Sequence, residues 1–324
     1  MRLITSDDII ESYSKLKQKG LSFLLSKFNI DPLERTKGTF DHWQNEGAYW
    51  WQIPAVRRRW NKLITGSESK VYEDYFAEKF LEGKSGLRLL SLGSGTCSHE
   101  FRFAKMGTLF SEVKCMDIAG NVLKKAEEQA RNEGVENIFF QVADVNKTDL
   151  PKDHYDVVLF HSSLHHFKGV EILLVEKIKN ALKPGGLILI NEFVGANRLQ
   201  FPSHQIAAIN EALDHVPLSH RRRLKSKLIK RRITGPGLLR MLIADPSECV
   251  ESEKILPVLR DHFRTLEEKP YGGSLLMMLF KDIAHHFMHE DPETFEILRR
   301  LFHAEDGYLR RGGSSDFIFG VYAR

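Results

Sequence analysis

Two glycines, Gly93 and Gly95, stand in the run Leu90-Ser91-Leu92-Gly93-Ser94-Gly95-Thr96-Cys97. Such a pair lets the backbone turn tightly and approach a ligand closely. Alone it decides little, because Gly-x-Gly turns are common, and a dinucleotide site would want a further glycine where Ser98 stands. Asp117 closes Lys114-Cys115-Met116-Asp117, about twenty residues further on, where a carboxylate can accept hydrogen bonds from both hydroxyls of a ribose. The plainer alternative is a solvated loop aspartate; the glycine turn upstream favours the ribose role. A third acid, Asp144, follows Gln141-Val142-Ala143, and a histidine-rich run, His161-Ser162-Ser163-Leu164-His165-His166, follows Tyr155-Asp156-Val157-Val158-Leu159-Phe160. Glu192 ends the apolar run that begins at Leu187.

These residues need a scaffold that gathers them. From Leu87 short apolar runs alternate with helical segments, the pattern of a parallel sheet with crossover helices. Strands are expected at 88–92, 112–117, 138–142, 155–160 and 187–192, with helices after Gly95, at 121–133 and at 172–182. The last should stop at Lys183-Pro184-Gly185-Gly186. Right-handed crossovers place the loops after all these strands at one carboxyl edge. A further strand at 263–270 and a last one at 316–323 would complete seven strands. Helices at 200–262 and 275–311 would then lie over the carboxyl edge. Upstream, 6–30 reads as an amphipathic helix and 68–81 as another. All four tryptophans, Trp43, Trp50, Trp51 and Trp60, fall within 39–66.

Order, spacing and wording of these motifs resemble the class I S-adenosylmethionine-dependent methyltransferases over a little more than a hundred residues. The resemblance implies an α/β fold: a Rossmann-like, seven-stranded, mostly parallel sheet with helices on both faces, plus a helical, aromatic N-terminal extension (1–83) and lid insertions in the core (84–324). It implies S-adenosyl-L-methionine as cofactor, with Gly93, Ser94 and Gly95 against its methionine part and Asp117 with Ile118 at its ribose. Asp144 and Val145 would flank the adenine, and His161 and Ser162 would line the floor near the sulfonium. Two positions depart from the family pattern. Ser91 replaces the acid two residues before the first glycine, and Cys97 replaces the third glycine of the loop. The lost acid leaves one polar contact to the cofactor's amino group to Glu100 or a water.

Methyl transfer is an in-line displacement at an activated carbon, so the protein supplies alignment and, for a hydroxyl acceptor, a base. The run after the fourth strand lacks the Asn/Asp-Pro-Pro-aromatic turn, the Pro-Cys nucleophile and the magnesium-binding carboxylates of other branches. A metal-independent transfer to a small molecule, such as a sugar or other metabolite hydroxyl, is therefore expected, with no metal ligands. Base candidates are Glu192, His166 and His161, with His165 beside them. Each also has a structural alternative, packing or capping for the histidines and a loop hydrogen bond for Glu192. Trp50, Arg198, Tyr271, His285 and His286 are expected to meet the substrate, although tryptophans are usually core residues and helix histidines usually packed or exposed.

The run His220–Arg232 carries eight Lys and Arg residues and supports a rival reading, an RNA or DNA methyltransferase that holds phosphates electrostatically. Its plainer interpretation is a solvated helix face. A second rival is a non-catalytic cofactor-binding scaffold, against which the intact glycine and acidic motifs argue. The 324-residue chain has 42% hydrophobic and 28% charged residues and a net charge of +4, an ordinary soluble balance that demands no anionic partner. Three scattered cysteines, Cys97, Cys115 and Cys249, suit a reducing cytoplasmic compartment. The acidic opening MRLITSDDII is unlike a signal peptide. Apolar runs such as 21–25 and 274–280 fall far short of the roughly 18 residues of a membrane span.

Overall fold

The computed structural model describes residues 1–14, 16 and 49–324. Trp43 and most of the expected 6–30 helix lie outside the described residues; 6–14 are helical. Seven strands, β1 (Leu87–Leu92), β2 (Phe110–Asp117), β3 (Ile138–Val142), β4 (Tyr155–His161), β5 (Leu182–Phe193), β6 (Arg264–Gly272) and β7 (Phe317–Ala323), form one sheet in the order β3-β2-β1-β4-β5-β7-β6. All neighbours are parallel except β7, which runs antiparallel to both β5 and β6.

Side chains alternate across a strand, and here both faces are covered. Leu89, Val157, Leu159, Leu187, Leu189, Phe319 and Val321 join one core with Phe101, Phe103, Leu123 and Ala126 of the helices Ser98–Ala104 and Gly120–Glu133. Leu90, Leu92, Val158, Phe160, Ile188, Ile190 and Tyr322 join the other with Leu173, Leu174 and Leu259. That double burial is why the central strands read as continuous apolar runs. Among the described residues no helix is long and apolar enough to cross a membrane.

The strands fall where the sequence places them; β5 starts earlier, at Leu182, so the Lys-Pro-Gly-Gly segment lies within it. The additions differ more. In 200–262 the helices are Ser203–Leu213, Leu238–Ala244 and Ile255–His262. The basic run is not a helix face: beyond a short turn, Leu218–Arg221, it is irregular chain, with Arg222 bridged to Ile229. Several of its cations turn inward. Arg221 Nε donates to Val216 O at 2.7 Å, and Arg223 Nη1 meets Asp282 at 2.7 Å. Lys230 Nζ donates to the carbonyls of Met278, Leu279 and Lys281 at 2.6, 2.9 and 2.8 Å. The reason is local. The short helix Leu276–Phe280 leaves carbonyls at its end that need donors, and an ammonium with three N–H bonds supplies them. In 275–311 that helix is followed by a turn, Ala284–Phe287, and a long helix, Pro292–Arg310.

Candidate active site

The ends of β1, β2 and β3 lie side by side, and their loops bring together the acids and glycines singled out in the sequence. Gly93, at φ +69°, donates its N–H to Met116 O at 2.8 Å. A Cβ there would stand 2.7 Å from Ser163 Cβ, so a side chain does not fit without displacing the loop after β4. Ser163 Oγ donates to Leu92 O at 2.7 Å and ties that loop to the turn. Asp117 accepts from Gly95 N and Ala119 N, 2.8 Å each, one on each oxygen. A carboxylate has about four lone-pair positions, so each oxygen keeps accepting capacity. Burial pushes the Asp117 pKa up, while the N–H groups of Ala119, Gly95 and Ile118 pull it back.

Ser91 is buried and donates to Glu100 Oε1 at 2.5 Å. An acid of the following helix thus stands beside Ser91, the position where the family pattern has its own. Glu100 Oε2 and Ser94 Oγ are buried without a partner among the described residues, beside the glycine turn. Burial raises the Glu100 pKa against the opposing pull of His99 and Ser91. Asp144 accepts from Asn146 N at 3.0 Å, and buried Val145 lends its carbonyl to Lys177 Nζ at 2.8 Å. Ile118 stands half-buried after β2, and Ser162 follows β4 in a left-handed conformation, φ +47°.

His161 ends β4. Its Nδ1 lies 2.9 Å from Tyr72 Oη, and its ring stacks on His99 at 3.5 Å between centroids. Burial, with His99 adding to it, holds the His161 pKa well below the ordinary value, while burial pushes Tyr72 well above its own. A protonated phenol and a neutral imidazole therefore share this hydrogen bond.

Glu192 is fully buried at the end of β5. Its Oε2 accepts from Ser163 N and Leu164 N at 2.8 and 2.7 Å, its Oε1 from Phe193 N at 2.7 Å, and Oε1 also meets His165 Nδ1. Both Glu192 oxygens thus accept hydrogen bonds, which tie the carboxylate expected as the base to His165 and to the loop after β4. His165 is pulled down by burial, yet the charge and hydrogen bond of Glu192, with Glu248 and Asp245, push it up to about 9. His166 Nδ1 lies 3.1 Å from Ser247 Oγ; burial and then His165 lower its pKa.

Tyr271 donates to Asn191 on β5. Trp50 packs on Trp60 at 4.7 Å and on Phe317 at 5.2 Å, and Phe317 meets Phe193 at 5.3 Å. Trp50 and Tyr271 therefore belong to one aromatic group over the ends of β5, β6 and β7. Arg198 donates to Glu248 O at 3.1 Å, which places it beside the histidine pair. His285 and His286 are the exception. They lie in the turn Ala284–Phe287, where His286 Nε2 meets Arg222 O at 2.9 Å, against the basic run. No hydrogen bond or ring contact joins them to the strand-end cluster among the described residues, so their expected substrate contact is not supported. Tyr72, His99, Asn191 and Glu248 were missed from the sequence. Tyr72, His99 and Glu248 sit outside the motifs, while Asn191 lies within the last strand run, and only the topology brings the four in.

The sheet order, the glycine turn and the acids at successive strand ends define a class I S-adenosylmethionine-dependent methyltransferase. The family described as a methyltransferase domain matches residues 83–262, more than half of the chain, and the chain belongs to it. Among curated relatives, the ubiquinone/menaquinone biosynthesis C-methyltransferase UbiE of Pseudomonas fluorescens is 30% identical over 135 residues, 41% of this chain and 52% of that protein. The UbiE of Ectopseudomonas mendocina gives the same figures, 30% over 135 residues, 41% and 52%. The chain thus spans about half the length of the curated relatives it matches. A solved structure of phosphoethanolamine N-methyltransferase 2 from Haemonchus contortus with S-adenosyl-L-methionine is 16% identical, with 84% of this chain and 57% of that one covered and a TM-score of 0.49.

Proposed function

We propose that the chain moves the methyl group of S-adenosylmethionine to an oxygen of a small-molecule acceptor, such as a sugar or other metabolite hydroxyl, held over the ends of β5, β6 and β7. The cofactor supplies an electrophilic methyl on a sulfonium. The unpartnered Glu100 Oε2 and Ser94 Oγ, deep beside the glycine turn, fit its amino-acid portion; a buried carboxylate oxygen with no donor is costly unless a ligand supplies one. Asp117 would hold the ribose hydroxyls, Gly93, Gly95 and Ser91 would shape the turn around the methionine part, and Ile118, Asp144 and Val145 would border the adenine. His161 and Ser162 would form the floor between cofactor and acceptor.

His166, kept neutral by burial and by the charge of His165, would take the acceptor proton, with His165 oriented through Nδ1 by Glu192 beside it. The observation that carries the small-molecule reading is the aromatic group Trp50, Trp60, Tyr271, Phe193 and Phe317 over the strand ends. Aromatic side chains of this kind commonly line small-molecule sites. The inward turn of Arg221, Arg223 and Lys230 removes much of the support for a nucleic-acid acceptor. Radiolabelled cofactor, incubated with protein and either a metabolite extract or bulk RNA and DNA, tests the reading. Label should enter a low-molecular-mass product; label in the nucleic-acid fraction alone would overturn it.

A further inference from the structure

From His215 to Ala244 the chain carries nine lysines and arginines and no acid. Three of these cations, Arg221, Arg223 and Lys230, are buried, whereas Arg222, Lys227, Arg231 and Arg232 are exposed. Apolar side chains stand out among them. Leu228 and Ile229 are exposed between Lys227 and Arg231. On the helix Leu238–Ala244 the exposed Leu239, Leu242 and Ile243 fall three and four positions apart, on one face, while Met241 is buried.

The N-terminal segment extends this surface and turns its own acids inward. Arg2 O and Leu3 O accept from Leu238 N and Leu239 N at 2.8 and 3.2 Å, which sets the exposed Leu3 and Ile4 beside the helix. Asp7 accepts from Thr234 N and Gly235 N, Asp8 accepts from Gly237 N, and Glu11 pairs with Arg240 at 3.3 Å. Among the described residues of 1–16 and 215–244, every exposed charged side chain is therefore basic.

A contiguous set of exposed leucines and isoleucines is costly in water and marks a contact surface. RNA or DNA would meet the arginines and leave the apolar face wet, and an apolar protein face would leave the arginines without counter-charge. A bilayer rich in anionic lipid suits both, with phosphates against the cations and the acyl boundary against the leucines. We propose that Leu3, Ile4 and the helix Leu238–Ala244, together with Arg222, Lys227, Arg231 and Arg232, dock the chain on an anionic membrane surface. The helix is followed at once by Asp245–Glu248, where Ser247 meets His166 and Glu248 lies 3.9 Å from His165. The docked face thus borders the strand-end cluster. The proposal stands independently of the methyl-transfer reading.

The test is sedimentation of the full chain with vesicles of phosphatidylglycerol and phosphatidylcholine in equal parts. The wild type should pellet with these vesicles and not with phosphatidylcholine alone, and high salt should release most of it. Arg231→Ser with Arg232→Ser should weaken binding roughly tenfold or more. Leu239→Ser with Leu242→Ser and Ile243→Ser should weaken it by roughly tenfold as well. Circular dichroism shows whether each variant is folded; Leu3→Ser with Ile4→Ser replaces the helix variant if that one does not fold. No pelleting of the folded wild type, equal pelleting with neutral vesicles, or undiminished pelleting of the folded variants overturns the proposal. So does binding of bulk RNA, or self-association lost in the helix variant, when vesicles are not bound. Vesicle binding without S-adenosylhomocysteine binding in calorimetry would leave the docking face standing and remove the methyltransferase reading; the reverse result would do the opposite.

Discussion

Glu192 holds His165 by Nδ1 while its second oxygen closes the turn at Ser163 and Leu164 at 2.8 and 2.7 Å. One buried carboxylate therefore sets both an imidazole and the loop that carries it. A histidine whose pKa folding raises from 6.5 to about 9 contributes stability that is fully present below 6.5 and is lost as pH rises through 9. The contribution is up to about 3 kcal/mol. Thermal melts between these limits should show the decline in the wild type and not in His165→Asn. Parallel profiles for the two proteins would mean that His165 is not charged in the fold.

Asp117→Ala should weaken S-adenosylhomocysteine binding by roughly 2–4 kcal/mol, because charge-assisted bonds to two hydroxyls are lost. Asp117 also ties down Gly95 N and Ala119 N, so part of the loss will come from a looser turn. Calorimetry gives the affinity, and a melting curve shows how much the turn matters to the fold. An unchanged affinity would remove the ribose assignment.

Glu100 offers a sharper test, since one of its oxygens has no partner among the described residues. Glu100→Gln keeps the shape but loses the charge that would meet the cofactor's amino group. It should weaken S-adenosylhomocysteine binding roughly tenfold or more and leave methylthioadenosine, which lacks that amino group, unaffected. Equal losses for both ligands would mean a general disturbance of the pocket.

The basic run separates into two groups. Changing the exposed Arg222, Lys225, Lys227, Arg231 and Arg232 to serine should leave activity on the small-molecule acceptor and its salt dependence nearly unchanged. Lys230→Met should instead destabilise the fold by about 2 kcal/mol, because three carbonyls lose their donor. Denaturant melts and initial rates on the two variants check both statements.

Much of the sheet was legible because its strands are buried on both faces and read as apolar runs, with glycine and acidic residues marking their ends. Glu192 was placed correctly at the end of β5, but its role was not visible. Its partners Ser163 and Leu164 are backbone donors on another loop, and no residue type signals a backbone N–H. The inward turn of Lys230 was hidden for a similar reason, since its acceptors are carbonyls almost fifty residues away. Glu248 lies in an irregular segment, so periodicity gave no cue to its meeting with His165 and His166.

The inward cations have a consequence for how acceptor preference can change. Lys230 and Arg223 fasten 221–230 to Met278–Asp282, and Gln205 donates to Ser274 O at 3.0 Å and Asp316 at 2.8 Å. Asp7 accepts from Thr234 N and Gly235 N, while Asp8 accepts from Gly237 N at 2.8 Å and pairs with Arg240. Four stretches of chain, distant in sequence, are in effect riveted into a single plate. Remodelling one of them would strain the rivets in the others, so variants with altered acceptor preference that carry changes in one stretch should carry compensating changes in the rest.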